Sequence, residues 1–248
     1  MMVIFITGSA DGLGHLSARL LVEQGHQVVL HARNAERGRE ALKKIAGAAQ
    51  VLTADLSSIE ETKALATQVN ELGAFDAVIH NAGVYQTSAK LIFAVNTLAP
   101  YILTSLIQKP KRLIYLSSGM HLHGRPNLEY FKQGIDRISY SDSKLHVMML
   151  ALAVARKWPE VYSNAVDPGW VPTKMGGKNA PDDLQKGYET QTWLAVSNDE
   201  RAKVSGRYFF HQKERSYNAA ANDVAAQEKL LKLCEEITGV AFPQHPKG

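Results

Sequence analysis

The 248-residue chain predicts an α/β fold: a doubly wound parallel sheet of about seven strands with helices on both faces. Three observations lead there. Short runs rich in Val, Ile and Leu alternate with longer helical patterns through the first two thirds of the chain. A glycine-rich stretch directly follows the first of those runs. No linker, internal repeat or low-complexity tract interrupts the pattern, so a single domain over 1–248 is expected. Repeated strand–helix units of this length need crossover connections, which build parallel sheets buried on both faces.

Taken in order, Val3–Ile6, 27–30, 50–52, 77–79 and Arg112–Leu116 read as buried strands. Helical periodicity occupies about 12–24, 35–46, 59–72 and 91–107. A helix over about 138–157 precedes a sixth strand near 161–166, and 205–210 is the last strand. Between 168 and 198, Pro168, Gly169, Pro172, Gly176, Gly177 and Pro181 crowd the chain, which reads as a loop with short helices over a ligand crevice. The segment 222–238 reads as a terminal helix, with Asp223 near its start and Gly239 beyond its end. In such sheets ligands bind beyond the carboxyl ends of the strands, so the residues that follow each strand are the candidates for chemistry.

Composition narrows the class. With 45% hydrophobic and 21% charged residues the chain is neither disordered nor collagen-like. Its 28 Lys and Arg against 24 Asp and Glu leave a net charge of +4 with no basic tract, which argues against a nucleic-acid partner. The one cysteine, Cys234, rules out an intramolecular disulfide and suits a reducing compartment. No stretch reads as a bilayer span, and the first six residues lack the basic start of a signal peptide; a cytoplasmic location is the expectation. His121 and His123 have no accompanying Cys, Asp or Glu constellation, so no metal site is expected.

After the first strand comes Thr7-Gly8-Ser9-Ala10-Asp11-Gly12-Leu13-Gly14, and then a helix opens. Glycines allow a sharp turn and close approach of backbone to a pyrophosphate, while a helix N-terminus supplies free N–H groups and partial positive charge. Strand two ends Leu30-His31-Ala32-Arg33, without the carboxylate that usually accepts the adenosine ribose hydroxyls. Arg33 in that place suits a 2′-phosphate, so NADP(H) is the expected cofactor; Asp11, if it faces that phosphate, leaves NAD(H) open. Tyr140 and Lys144 stand four apart on a helix and so share a face. An ammonium beside a phenol, helped by the positive charge of an oxidised nicotinamide, favours phenolate and moves its pKa down from 10 towards the working range.

The order of these motifs carries a resemblance. Thr-Gly-x-x-x-Gly-x-Gly, Asp55-Leu56 after strand three, Asn81-Ala82-Gly83 after strand four and Asn96 in Val95-Asn96-Thr97-Leu98 come first. Ser117-Ser118 after strand five, Tyr140-x-x-x-Lys144, and Asp167-Pro168-Gly169-Trp170-Val171-Pro172-Thr173 complete the series. Together they resemble the short-chain dehydrogenase/reductase family in its short single-domain branch, from Thr7 to about Thr173. The 21 residues from Gly119 to Ser139 resemble the retinol-dehydrogenase-like members.

The resemblance implies a Rossmann-type dinucleotide-binding sheet and hydride transfer between a nicotinamide and a carbonyl or alcohol. Tyr140 would be the general acid in reduction and the general base in oxidation. Lys144 would also hold the nicotinamide ribose, Ser118 would donate to the substrate oxygen, and Asn96 would position a water for proton relay. Gly8, Ser9, Gly12, Leu13 and Gly14 would line the pyrophosphate. Asp55, Leu56, Asn81, Ala82 and Gly83 would border the adenosine, and Pro168, Gly169, Val171 and Thr173 would close over the nicotinamide. Asp55 could equally cap the following helix. Tyr85, Trp170 and Met175 are candidate substrate walls by placement. The expected partner is a small carbonyl or alcohol, with homo-oligomerisation left open. The alternative from another class is a non-catalytic nucleotide sensor or scaffold.

Overall fold

Strand residues in the structure, a computed structural model that describes residues 1–243, divide strictly by parity between two cores. In β1 (Val3–Ile6) Ile4 and Ile6 face one side and Phe5 the other; in β2 (Gln27–Ala32) Val28 and Leu30 oppose Val29. The same split separates Ile79 from Val78 in β4 (Ala77–His80), and Ile114 from Leu113 and Tyr115 in β5 (Arg112–Leu116). Side chains alternate along a strand, so an unbroken apolar run requires apolar cover on both faces.

That cover comes from two layers of helices. α1 (Gly12–Glu23) and α2 (Ala35–Lys44) contribute Ala18, Leu21 and Ala41 to one core, joined by Leu194 and Ala195 of α8 (Leu184–Val196). The opposite core takes Leu65 and Val69 of α3 (Ile59–Glu71), Tyr101 and Ile102 of α5 (Ala99–Leu106), and most of α7 (Tyr140–Lys157). α9 (Val224–Thr238) lies outside α7 with Leu230, Leu231 and Cys234 turned inward; Asp223 caps its start and Gly239 closes it at φ 69°. A glycine fits that left-handed closing position without strain.

With β3 (Gln50–Thr53), β6 (Tyr162–Asp167), β7 (Arg207–Phe210) and β8 (Lys213–Glu214), the sheet runs β3-β2-β1-β4-β5-β6-β7-β8. All neighbours are parallel except β7–β8. Strand order reverses between β1 and β4, which opens a crevice at their carboxyl ends. The doubly wound expectation holds, with one strand more than expected. β8 is two exposed polar residues after a turn in which His211 and Gln212 take φ of 49° and 59°, so neither periodicity nor turn chemistry announces it.

Two further expectations are corrected. The region 168–198 holds not short helices but α8, thirteen residues started by Asp183. Helix 91–107 is a relay: α4 (Ala89–Phe93), a wide π turn over Ala94–Leu98, then α5. The stretch Ala89–Leu106 is long and apolar enough to cross a bilayer by length and composition, and 72% of it is buried within the chain. The remaining short helix, α6 (Tyr130–Gln133), lies between β5 and α7.

Candidate active site

The turn after β1 is held by its neighbours rather than by itself. Asn81 Nδ2 donates to the carbonyls of Thr7 and Gly8 at 2.9 and 3.2 Å, and Thr7 Oγ1 accepts from Ala82 N–H at 3.0 Å. A Cβ on Gly14 would lie 2.4 Å from Asn81 Nδ2, and one on Gly8, at φ 64°, 2.9 Å from Ala82 Cα. The Asn81-Ala82-Gly83 segment therefore braces the glycine turn. Gly8 N–H donates to His31 Nδ1 at 2.9 Å, while His31 Nε2 donates to the Ala54 carbonyl at 3.1 Å. That buried imidazole stitches the ends of β1, β2 and β3 together, and burial lowers its pKa to about 4.

Ser9 is corrected as a cofactor residue. Its N–H donates to the His31 carbonyl, its hydroxyl donates to Ile6 and accepts from His31 N–H, and it is fully buried. Both polar groups are consumed in joining β1 to β2. Gly12, Leu13 and Gly8 line the groove, with Gly14 behind them in the first turn of α1.

This groove, about 430 Å³, runs from the Arg33 end of β2 past Asn81, Ala82 and Gly83 to Tyr140 and Lys144, with Pro168, Thr173 and Met175 along its side. Its size suits a cofactor-sized ligand. At the nucleotide end Arg33 pairs with Asp55 at 2.9 Å, and Arg37 pairs with Asp11 at 3.3 Å. Lys174, from the loop after β6, also reaches Asp11. Three cations thus meet two carboxylates, and the Lys174 hydrogen bond heads the causes that hold Asp11 below its ordinary range. Arg37 and Lys174 were not singled out in the sequence; four-residue spacing from Arg33 was the available signal for Arg37, and none existed for Lys174.

Asp55 does not cap α3; Ser58 does, accepting from Glu61 N–H. Asp55 instead accepts from Ser57 N–H and Oγ at 2.9 and 2.7 Å, closing its own local turn. Leu56 is buried beside it and lines the groove. Val171 is buried, and Asp182 occupies the space that a side chain on Gly169 would need; neither borders the groove, so they differ from Pro168 and Thr173.

At the other end, Tyr140 is the first residue of α7. Ser139 and Asp142 form a reciprocal capping box there, and Asp142 also accepts from Arg125 N–H at 2.7 Å. Ser118 stands beside the Tyr140 phenol and favours its ionised form, and the Tyr85 ring lies 4.6 Å away from its ring. Burial pushes Tyr140 up to about 12 against the influence of Ser118, with Asp167 and Tyr85 adding to the rise. In the chain by itself desolvation of the phenolate is the largest influence; Lys144 Nζ lies 5.5 Å from the Tyr140 ring and donates to the Leu116 carbonyl at 2.8 Å. Lys144 is itself buried, and desolvation brings it down to about 8 despite Asp167.

Ser117 is occupied, donating to the Lys144 carbonyl at 2.9 Å. Asn96 sits in the π turn with its amide saturated: Oδ1 accepts from Val84 N–H, and Nδ2 donates to the Val84 carbonyl and to Ser143 Oγ. Trp170 is exposed, its Nε1 donating to the Gly176 carbonyl at 2.7 Å. Asp167, quoted in the sequence without a role, accepts from Tyr208 Oη and faces Tyr140 and Lys144 electrostatically.

Comparison with known proteins identifies the chain's relatives. The short chain dehydrogenase family model matches residues 2–116. The chain is 46% identical to the oxidoreductase AN7799 of Emericella nidulans, over 98% of this chain and 99% of that protein. It is 28% identical to retinol dehydrogenase 14 of Mus musculus, over 96% and 86% respectively. A crystal structure from Mycobacterium paratuberculosis superposes with a TM-score of 0.84 at 24% identity, covering 98% of this chain and 95% of that one. Glycine turn, strand order and near full-length identity coincide, and the chain belongs to the short-chain dehydrogenase/reductase family of oxidoreductases.

Proposed function

We propose that this chain is an NADP(H)-dependent reductase of a ketone or aldehyde. The observation that carries the reading is one groove that holds Tyr140 and Lys144 at one end and gathers Arg33, Arg37 and Lys174 at the other. When bound there, the nicotinamide dinucleotide supplies the hydride.

The chain's own residues manage the oxygen. Reduction puts negative charge on the carbonyl oxygen, which a donor aimed at that point stabilises. Ser118 supplies such a donor, and Tyr140 supplies the proton that completes the alcohol. Lys144 would hold the ribose hydroxyls of that cofactor, its Nζ standing in the same groove. Asn96 serves the proton relay through its main chain, its amide being engaged elsewhere. Gly8, Gly12 and Leu13, with Gly14 behind them, would bracket the pyrophosphate.

Arg33, Arg37 and Lys174 would hold a 2′-phosphate, each exchanging a surface carboxylate partner for it. Asp11 is already engaged by two cations and does not face that phosphate alone. The test is cofactor oxidation by the purified chain across quinones, aldehydes, ketones and steroids, with NADPH and NADH in parallel. Turnover with at least one class, faster with NADPH, is expected. Faster turnover with NADH removes the NADP assignment; binding without turnover on any carbonyl returns the chain to a nucleotide sensor.

A further inference from the structure

The turn that carries Ser118 is fastened from a point nearly a hundred residues away in sequence. Gly119–His123 forms one tight 3₁₀ turn started by Ser118, whose Oγ accepts from Met120 N–H at 3.2 Å. His121, fully buried in it, brings Nδ1 within 2.7 Å of the Ser118 carbonyl and Nε2 within 3.2 Å of Asn218 N–H. A carbonyl can only accept and an amide N–H can only donate, so one neutral tautomer, with the proton on Nδ1, satisfies both contacts. Asn218 also sends its side-chain Nδ2 to three carbonyls of the same turn: Gly124 at 3.0 Å, and His121 and Leu122 at 3.3 Å.

The turn is pressed from two other sides. A Cβ on Gly124 would lie 2.4 Å from the Ser141 carbonyl in the first turn of α7, and one on Gly119 would lie 2.9 Å from Asp167 Oδ2. Tyr208, whose hydroxyl donates to that same Asp167 oxygen, packs its ring 4.6 Å from His121. With Met120 N–H on one lone pair, the Ser118 hydroxyl keeps its own proton to donate, beside Tyr140.

We propose that Asn218 and His121 are positioning residues that hold the Ser118 hydroxyl against Tyr140, so that the segment leading into α9 sets the aim of the donor to the substrate oxygen. This rests on the reductase reading of Ser118 and Tyr140. The shape of Asn218→Asp is nearly that of the natural residue, but it sets a carboxylate oxygen against three carbonyl oxygens. It should lower kcat about tenfold and leave cofactor affinity unchanged, since a small misplacement of a reacting group costs that much or more. In a Ser118→Ala background the same change should alter kcat by less than about twofold, because two substitutions acting through one group do not add.

Wild-type kcat in Asn218→Asp, a full further loss on top of Ser118→Ala, or a parallel drop in cofactor affinity overturns the proposal. Should Asn218→Asp fail to fold, His121→Leu, which removes the donor to Ser118, should lower kcat while His121→Asn, which keeps one near Nδ1, restores most of it; equal loss in both overturns the proposal. A readout free of turnover separates this from failure of the reductase reading. The Cζ resonance of carbon-labelled Tyr140 should move in Ser118→Ala and in the same direction in Asn218→Asp or His121→Leu. A resonance that moves in Ser118→Ala alone overturns the positioning role whether or not any carbonyl is reduced.

Discussion

At the nucleotide end of the groove the charged groups are Arg33, Arg37 and Lys174 against Asp55 and Asp11, and the three cations stand in solvent. At the catalytic end Lys144, Asn96, Ser117 and His121 are all buried, with their polar atoms assigned to named backbone or side-chain partners. The contrast follows from what each end must do. Exposed ion pairs contribute between nothing and about 1 kcal/mol, so a cation loses little on leaving a carboxylate for a phosphate. A buried polar group stripped of its partner costs about 1–3 kcal/mol, so the catalytic end tolerates no loose members. One end is adjustable and the other is set.

The sharpest test of the set end is Tyr140→Phe. Losing a general acid should cut carbonyl turnover by about a hundredfold or more while cofactor binding holds. Turnover near wild type would mean that the proton comes from elsewhere.

Next in size is acid stability, which probes the buried histidines of both ends. His31 braces the glycine turn, and His146 of α7 bonds Thr97 Oγ1 and the Pro126 carbonyl; desolvation brings each down to about 4. In the unfolded chain each takes a proton near 6.5, so between those values the unfolded state binds more protons than the folded one. Their contribution to stability is therefore complete above 6.5 and is lost as pH falls towards 4. At pH 5 each should cost about 2 kcal/mol relative to pH 7, read as a lower urea midpoint. An unchanged midpoint would show that neither ring is held neutral.

The adjustable end predicts smaller effects. Arg33→Ala should reduce the preference for NADPH over NADH by about tenfold, the equivalent of one charge-assisted contact, without altering kcat on the better carbonyls. A fall in kcat instead would couple the two ends and erase the distinction between them. Smallest of all, Asp11→Asn should change unfolding free energy by less than about 1 kcal/mol, since Arg37 and Lys174 pair with it at the surface. A larger loss would place that carboxylate among the set groups.

Legibility in the sequence follows the range of the interactions. The buried strands, the glycine turn and the Tyr140–Lys144 spacing are local patterns, and the first two are visible in windows of a few residues. The neighbours' choices are not. Ser9 looks like a phosphate ligand until β2 is laid beside it and His31 claims both its hydroxyl and its N–H. The rise of Tyr140 in the chain by itself depends on how deeply the start of α7 is buried, which is not written in a four-residue spacing. The π turn adds one residue to an otherwise helical pattern, too small a change for periodicity to register. Lys174 meets Asp11 across 163 residues and Asn218 meets His121 across 97, so both contacts exist only once the sheet is assembled.

The lone thiol has a use that has nothing to do with the groove. Cys234 is buried on the inward face of α9, and burial pushes its pKa far up, so reagents that attack thiolates find nothing to react with in the folded protein. Labelling of that sulfur then keeps time for the detachment of α9 from α7, a stopwatch for opening with a single, unambiguous hand.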